Sequence, residues 1–253
     1  MRRNRVRDLL AQDRQVVTGW VTTGSSYAAE VVAHSGVDAV TLDLQHGMFD
    51  VPQAIACLQA VSTTDAVPLV RCRSHDAADI GHLLDAGAYG IICPNVDSAE
   101  QAAALVRACR YPPTGRRSLG PSRGVLYGGA DYPQHADDTV LVIPMIESVR
   151  AVDNLDAILA VEGVDAVFVG PTDLSWDAGL PPTSAAVADE LADLLRHIVD
   201  RARGASVPAG IFSLTPEQGR QFADWGYRLI APGTDMMMLR AATERAVAVL
   251  RQV

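Results

Sequence analysis

Two textures alternate along the chain. Short runs of apolar and β-branched residues at 16–21, 37–44, 67–72, 89–93, 140–146, 165–169, 207–212 and 227–231 are apolar almost throughout. That is the pattern of parallel strands buried on both faces, not of strands with one wet side. Between them lie alanine-rich stretches with helical spacing at 27–34, 51–61, 76–86, 99–109, 149–160, 184–202, 216–225 and 235–250. Several carry start signals: Ser98 before Ala-Glu, Thr183-Ser184 before Ala-Ala, and Thr215 followed by Pro216-Glu217. Gly36, Gly87, Gly163, Gly204 and Gly226 fall where a helix must stop before the next apolar run.

Eight strand–helix units in 253 residues average about 32 residues each, which predicts a single-domain (β/α)8 TIM barrel over residues 1–253. A doubly wound open sheet has the same βαβα texture. No G-x-G-x-x-G follows the first run, which weighs against its dinucleotide-binding form. One connection, 110–139, is far longer than the rest and is expected to be functional or to contact another subunit.

Composition removes several classes of function. Apolar residues make up 49% of the chain and charged residues 20%, enough for a sizeable core. A net charge of −9 argues against nucleic acid as a partner. Residues 1–7 are basic, but no apolar signal-peptide core follows them, and no apolar run approaches the length of a membrane span. A soluble, cytoplasmic protein without a membrane partner is expected. Cys57, Cys72, Cys93 and Cys109 show neither C-x-x-C pairing nor zinc spacing and read as reduced core residues. All 21 cationic side chains are arginine, and lysine is absent. Arginine forms no Schiff base, so pyridoxal phosphate enzymes, Schiff-base aldolases and lysine-bearing phosphate loops are excluded.

In a barrel the chemistry sits where strands end. The second run ends Asp43-Leu44-Gln45-His46, the third at Arg71, the fifth at Met145-Ile146-Glu147, and the sixth at Gly170-Pro171-Thr172-Asp173. Each has a plain alternative. Asp43 is open to a barrel-filling salt bridge with Arg71, Asp173 to a helix cap, and Glu147 to the first turn of the next helix. Four polar strand ends on one rim favour a site. Two carboxylates without His or Cys at metal spacing suit Mg²⁺ or Mn²⁺, with room for a bidentate 2-oxo acid. Arg71 is placed to stabilise a negative oxygen, and His46 to serve as a base or to activate one.

Four stretches, VDAVTLDLQHG (37–47), PLVRCRSHDAADIGHLLDAGAYGIICPNV (68–96), ACRYPPTGRRSLGPSRG (108–124) and PMIESVRAVDNLDAILAVEGVDAVFVGPTDLS (144–175), resemble the HpcH/HpaI aldolase/citrate lyase family of metal-dependent class II pyruvate aldolases. The resemblance implies reversible aldol addition of pyruvate or hydroxypyruvate to an aldehyde. It implies a divalent metal (Mg²⁺, Mn²⁺ or Co²⁺) on Glu147 and Asp173. It implies a catalytic set of His46 with the preceding Asp43, Arg71 on the enolate oxygen, and Asp85 raising the basicity of the histidine. The backbone N–H groups of Thr172 and Asp173 would hold the substrate carboxylate. Two positions depart from the family pattern: Met145 stands where glutamine is usual, which makes the substrate pocket more apolar, and Gln45 stands where glutamate is usual. The resemblance also implies a homo-hexamer, a trimer of dimers, with the apolar C-terminal helix exchanged between subunits. Competing readings are a citryl- or malyl-type acyl-CoA lyase, with Arg116, Arg117 and Arg123 for the CoA phosphates, and a barrel without enzymatic activity.

Overall fold

Each apolar run contains a strand, and all eight strands lie parallel: β1 (Val16–Val21), β2 (Ala39–Asp43), β3 (Val67–Arg71), β4 (Gly90–Cys93), β5 (Leu141–Ile146), β6 (Val167–Val169), β7 (Ala209–Phe212) and β8 (Leu229–Ala231). The structure, a computed structural model, describes residues 1–181 and 187–251. The strands pair in sequence order, and β8 returns to β1 with Val16 opposite Leu229 and Val17 opposite Ile230. The sheet is therefore a closed barrel, and the doubly wound alternative, which leaves two sheet edges, does not hold. Several strands are shorter than their apolar runs. Val37, Val207 and Tyr227 lie in the approaches to β2, β7 and β8 and pack into the helix layer instead of the ladder.

Around the barrel run α1 (Arg5–Ala11), α2 (Ser26–Ala33), α3 (Val51–Val61), α4 (Ala77–Asp85), α5 (Ala99–Cys109), α6 (Gly124–Gly128), α7 (Tyr132–Thr139), α8 (Val149–Asp153), α9 (Leu155–Leu159), α10 (Pro171–Asp177), α11 (Asp189–Gly204), α12 (Pro216–Trp225) and α13 (Asp235–Arg251). Two points correct the sequence expectation, and a third is left untested. The stretch 149–160 is two short helices, broken at Asn154, which ends α8 and begins α9. The long 110–139 connection is not bare loop but holds α6 and α7. The start signal at Thr183-Ser184 lies outside the described residues, and the helix there is seen from Asp189.

Strand alternation sorts side chains into two cores. Val40, Leu42, Val70, Ile91, Val142, Val167, Ile211 and Ile230 face outward against the helices. Trp20, Ala39, Leu69, Ile92, Ile143, Met145, Phe168 and Leu229 fill the lumen. Val6, Leu9 and Leu10 of α1 join the lumen cluster, so α1 closes one end of the barrel. Asn4 is its cap, accepting from Arg7 N, and its buried amide donates to Tyr89 O at 3.0 Å and Thr139 O at 2.8 Å. The four cysteines are free and buried, as expected. Among the described residues no helix is long and apolar enough to cross a membrane.

The C-terminal helix behaves differently from the others. Asp235 ties its start to the end of β1, accepting from Thr22 Oγ1 at 2.7 Å and Thr23 Oγ1 at 2.8 Å. Beyond that anchor no residue of α13 is buried, and Met236, Met238, Leu239, Val249 and Leu250 are exposed.

Because Asn4 satisfies two buried carbonyls at the closed end, Asn4→Ala should destabilise the fold by about 1–3 kcal/mol. A lower urea midpoint with an unchanged slope is the expected reading, and an unchanged midpoint would show that the cap is dispensable.

Candidate active site

The lumen alternation that buries Leu69 and Ile143 also points the last residues of their strands inward. Asp43 ends β2 and Arg71 ends β3, and the two are register partners, so carboxylate and guanidinium meet across one strand pair. Arg71 Nε donates to Asp43 Oδ1 at 2.9 Å and Nη2 donates to Oδ2 at 2.5 Å. The other donors to Asp43 are the backbone N–H of Gln45 (3.1 Å) and of His46 (3.2 Å) on Oδ1, and Trp20 Nε1 on Oδ2 at 3.1 Å. Burial pushes the Asp43 carboxyl up, but the Arg71 guanidinium, the Trp20 N–H and the His46 N–H outweigh it, holding the group below the usual carboxylate range. Asp43 stays ionised with five donors on two oxygens, so its part is to fix Arg71 and the turn that carries His46.

These residues face a cavity of about 300 Å³ at the C-terminal mouth of the barrel. Its polar face is Thr22, Asp43, His46, Arg71, Thr172, Asp173 and Thr234, and Trp20, Met145, Phe168, Pro171 and Phe212 make apolar walls. Thr172 and Asp173 lie in the first turn of α10, where backbone N–H groups have no partner within the helix. Asp173 makes no side-chain cap, against the plain alternative open from sequence. His46 is exposed at the rim, and its imidazole has no hydrogen-bond partner among the described residues.

Glu147 follows Met145 by one alternation step past the end of β5 and is buried. It stands behind Gly170, where a Cβ would come within 2.7 Å of Glu147 Oε2, so only glycine lets the chain pass so close. Oε1 accepts from Asn95 N at 2.7 Å, while Oε2 is buried without a partner among the described residues. Burial raises its pKa from 4.5 to about 7, and the negative charge of Asp173 adds to that, against the Asn95 N–H and Arg71. A buried carboxylate with an orphaned oxygen beside a second carboxylate is a place short of positive charge. Hard oxygen donors of this kind fit a divalent cation. Among the described residues no third His, Cys, Asp or Glu completes a cluster, so the set would be two protein ligands with positions left for water or substrate.

Asp85, the remaining expected member, is not brought into this cavity. It ends α4, accepts from Arg117 Nη2 at 2.7 Å, and faces a separate groove with His82, Arg107 and Arg116. The sequence reading missed Trp20 and Asn95. Trp20 sits on the inward phase of the first run, a signal that was there to use. Asn95 acts through its backbone N–H, which no residue type announces.

What this mouth does chemically is hold a fixed positive charge and a histidine against one small, partly apolar cavity beside a cation-seeking carboxylate pair. That is the equipment of a carbon–carbon lyase of the aldolase kind. Residues 17–242 match the HpcH/HpaI aldolase/citrate lyase family, and the chain belongs to it. It is 38% identical over 245 residues to a hydroxypyruvate/pyruvate aldolase of Rhizorhabdus wittichii, covering 97% of this chain and 98% of that one. It is 35% identical over 237 residues to a 2-keto-3-deoxy-L-rhamnonate aldolase of Salmonella typhi, covering 92% and 88%. The crystal structure of a HpcH/HpaI aldolase/citrate lyase family protein from Burkholderia cenocepacia matches with a TM-score of 0.92 at 31% identity, over 98% of this chain and 99% of that one.

The raised Glu147 pKa has a consequence for stability. A proton bound more tightly in the folded state stabilises fully below the unfolded value and is lost as pH rises through the folded one. In chelator, Glu147→Gln should therefore gain stability over the parent as pH rises from 4.5 through about 7, with little difference at the acid end. Melting temperatures of the two proteins across that range test it; a constant difference would mean that Glu147 titrates normally.

Proposed function

We propose that this protein catalyses reversible aldol addition of the enolate of pyruvate, or of hydroxypyruvate, to an aldehyde, forming a 4-hydroxy-2-oxo acid. The observation that carries the reading is the Asp43-locked Arg71 sharing a small cavity with His46 and Asp173. The named aldolase relatives support it. Glu147 and Asp173 would hold Mg²⁺, Mn²⁺ or Co²⁺, which would supply Lewis-acid polarisation of the 2-oxo group.

This chain's own residues account for the rest. The first-turn N–H groups at Thr172 and Asp173 suit the substrate carboxylate. His46 takes a proton from C3, and the Arg71 guanidinium stabilises the negative charge that develops on the oxygen. When the new carbon–carbon bond forms, a proton returns to the aldehyde-derived oxygen. The apolar walls, with Met145 in place of a hydrogen-bonding side chain, favour small donors and exclude water from the enolate. The acyl-CoA lyase reading is the weaker one. Arg117 is engaged by Asp85 and Tyr132, and Arg123 by the Ala86 and Leu58 carbonyls, so neither is spare for phosphates.

Two features support assembly as a homo-hexamer in which α13 is exchanged. No residue of the helix is buried on its own barrel, and the His46 imidazole has no orienting acid among the described residues. Asp85 then serves a neighbour's histidine as a positioning residue. The four buried, free thiols accord with the reducing environment of the cytoplasm.

Glu147→Ala or Asp173→Ala should each abolish divalent-cation binding in titration calorimetry and retro-aldol cleavage of 4-hydroxy-2-oxo acids, with the barrel still folded. Borohydride with pyruvate should not inactivate the parent, since no lysine is available to trap. Full activity of either variant in chelator would overturn the assignment.

Truncation after Gly233 should lower the mass seen in sedimentation and, if Asp85 works across subunits, remove activity as well. An intact protein that sediments as a monomer would refute the assembly.

A further inference from the structure

We infer that Trp20 is a positioning residue for Arg71, gripping the Asp43–Arg71 pair from two sides. The inference rests on the aldolase reading above. Trp20 lies on β1, 2% exposed, in the lumen layer just below Asp43. Its indole N–H donates to Asp43 Oδ2 at 3.1 Å, and the Arg71 guanidinium carbon stands 5.1 Å from the centre of its ring. The ring itself is fixed, stacked on Phe168 at 5.3 Å and edge-on to Phe212 at 5.6 Å.

A tryptophan that merely filled space would satisfy its N–H on a backbone carbonyl or leave it at the surface. Here the N–H goes to the one carboxylate that orients Arg71. Among the described residues Asp43 Oδ2 has two donors, Arg71 Nη2 and Trp20 Nε1; the adjacent walls Met145, Phe168 and Phe212 carry none, and the Thr22 hydroxyl that also lines the cavity is committed to Asp235. Without it, Oδ2 is free to turn and Arg71 turns with it. Asp43 takes Nε and Nη2 of Arg71, which leaves Nη1 as the nitrogen without a partner among the described residues and the one available to an enolate oxygen. The π face of Trp20 favours a guanidinium over the cavity floor. Trp20, a wall of the same cavity, thus acts on the enolate through the aim of Arg71.

The test isolates enolate formation. Pyruvate in D2O with Mg²⁺ and no aldehyde should exchange its C3 protons in the presence of the parent enzyme, followed by proton NMR. Trp20→Phe keeps a six-membered aromatic face against the lumen and deletes the pyrrole half with its N–H. Its maximal exchange rate should fall about tenfold, the loss expected for a hydrogen bond to a charged group. The KM for pyruvate should stay within about twofold, because an interaction made on the developing charge is lost from turnover and not from ground-state binding. Trp20→Leu, which also removes the ring, should fall further. An unchanged exchange rate in folded Trp20→Phe would overturn the proposal alone. A parent enzyme that exchanges no protons would overturn the aldolase reading and this inference with it.

Should Trp20→Phe fail to fold, the parent protein still decides. Its three tryptophans give three indole N–H signals, assigned by elimination with Trp176→Phe and Trp225→Phe. The Trp20 signal should resist exchange with solvent and shift on adding pyruvate with Mg²⁺. Free exchange and no shift would overturn the proposal.

Discussion

The ion pair between Asp43 and Arg71 is the contact on which the site depends. Taking two charges out of water costs several kcal/mol for each ion, and their attraction repays it only when the remaining lone pairs are satisfied as well. Here they are. The parallel register of β2 and β3 sets the two residues side by side, the turn after β2 supplies two backbone N–H groups, and β1 supplies an indole. None of these donors belongs to a mobile surface side chain. A closed barrel brings three strands and a turn to one point without an edge through which water reaches the pair, which is why a buried aspartate can stay ionised there.

The same mouth holds a second buried carboxylate with the opposite fate. Asp43 and Glu147 are both nearly inaccessible, yet one is held below its ordinary pKa and the other raised to about 7. Burial acts the same way on both; the partners make the difference. Asp43 has a guanidinium and Glu147 a single backbone N–H with Asp173 nearby. One group is finished as an anion and serves as scaffold. The other is unfinished, with its free oxygen waiting for a positive charge. That asymmetry divides the mouth into a fixed cationic side at Arg71 and an electron-rich side at Glu147 and Asp173, where the proposed cation would sit with a 2-oxo acid between the two.

Much of this was legible in the sequence, and the misses have physical causes. The eight strands show as apolar runs because a parallel barrel buries both faces of every strand. Asp43, Arg71 and Asp173 were legible as polar interruptions of those runs, and they do meet in one cavity. The α1 helix was hidden by Arg2, Arg3, Arg5, Arg7 and Asp8, although Asn4 with Val6, Leu9 and Leu10 spells a cap and an apolar face. The α6 and α7 pair was hidden because its glycines and prolines read as loop, and helices that short draw their stability from the surface they cover and not from their own composition. Trp20 escaped for a different reason. In a lumen-facing phase an indole looks like core filling, and only the position of a carboxylate one strand away makes its N–H a functional donor.

The absence of lysine gives these contacts their logic. A lysine pocket generates an enolate equivalent by covalent chemistry, and its ammonium titrates when buried. A barrel with arginine alone has a charge that cannot be removed by burial, but also a nucleophile that cannot be used. The negative oxygen of an enolate must then be met by electrostatics alone, and electrostatics works only when the charge is aimed before the reaction begins. A guanidinium on a long flexible side chain would lose that aim, and the bidentate grip of Asp43 with Trp20 beneath it restores it. The rigid pair on β2 and β3 and the stacked aromatic wall are therefore one device, in which a held charge stands ready and the aromatic wall of the lumen keeps it in place.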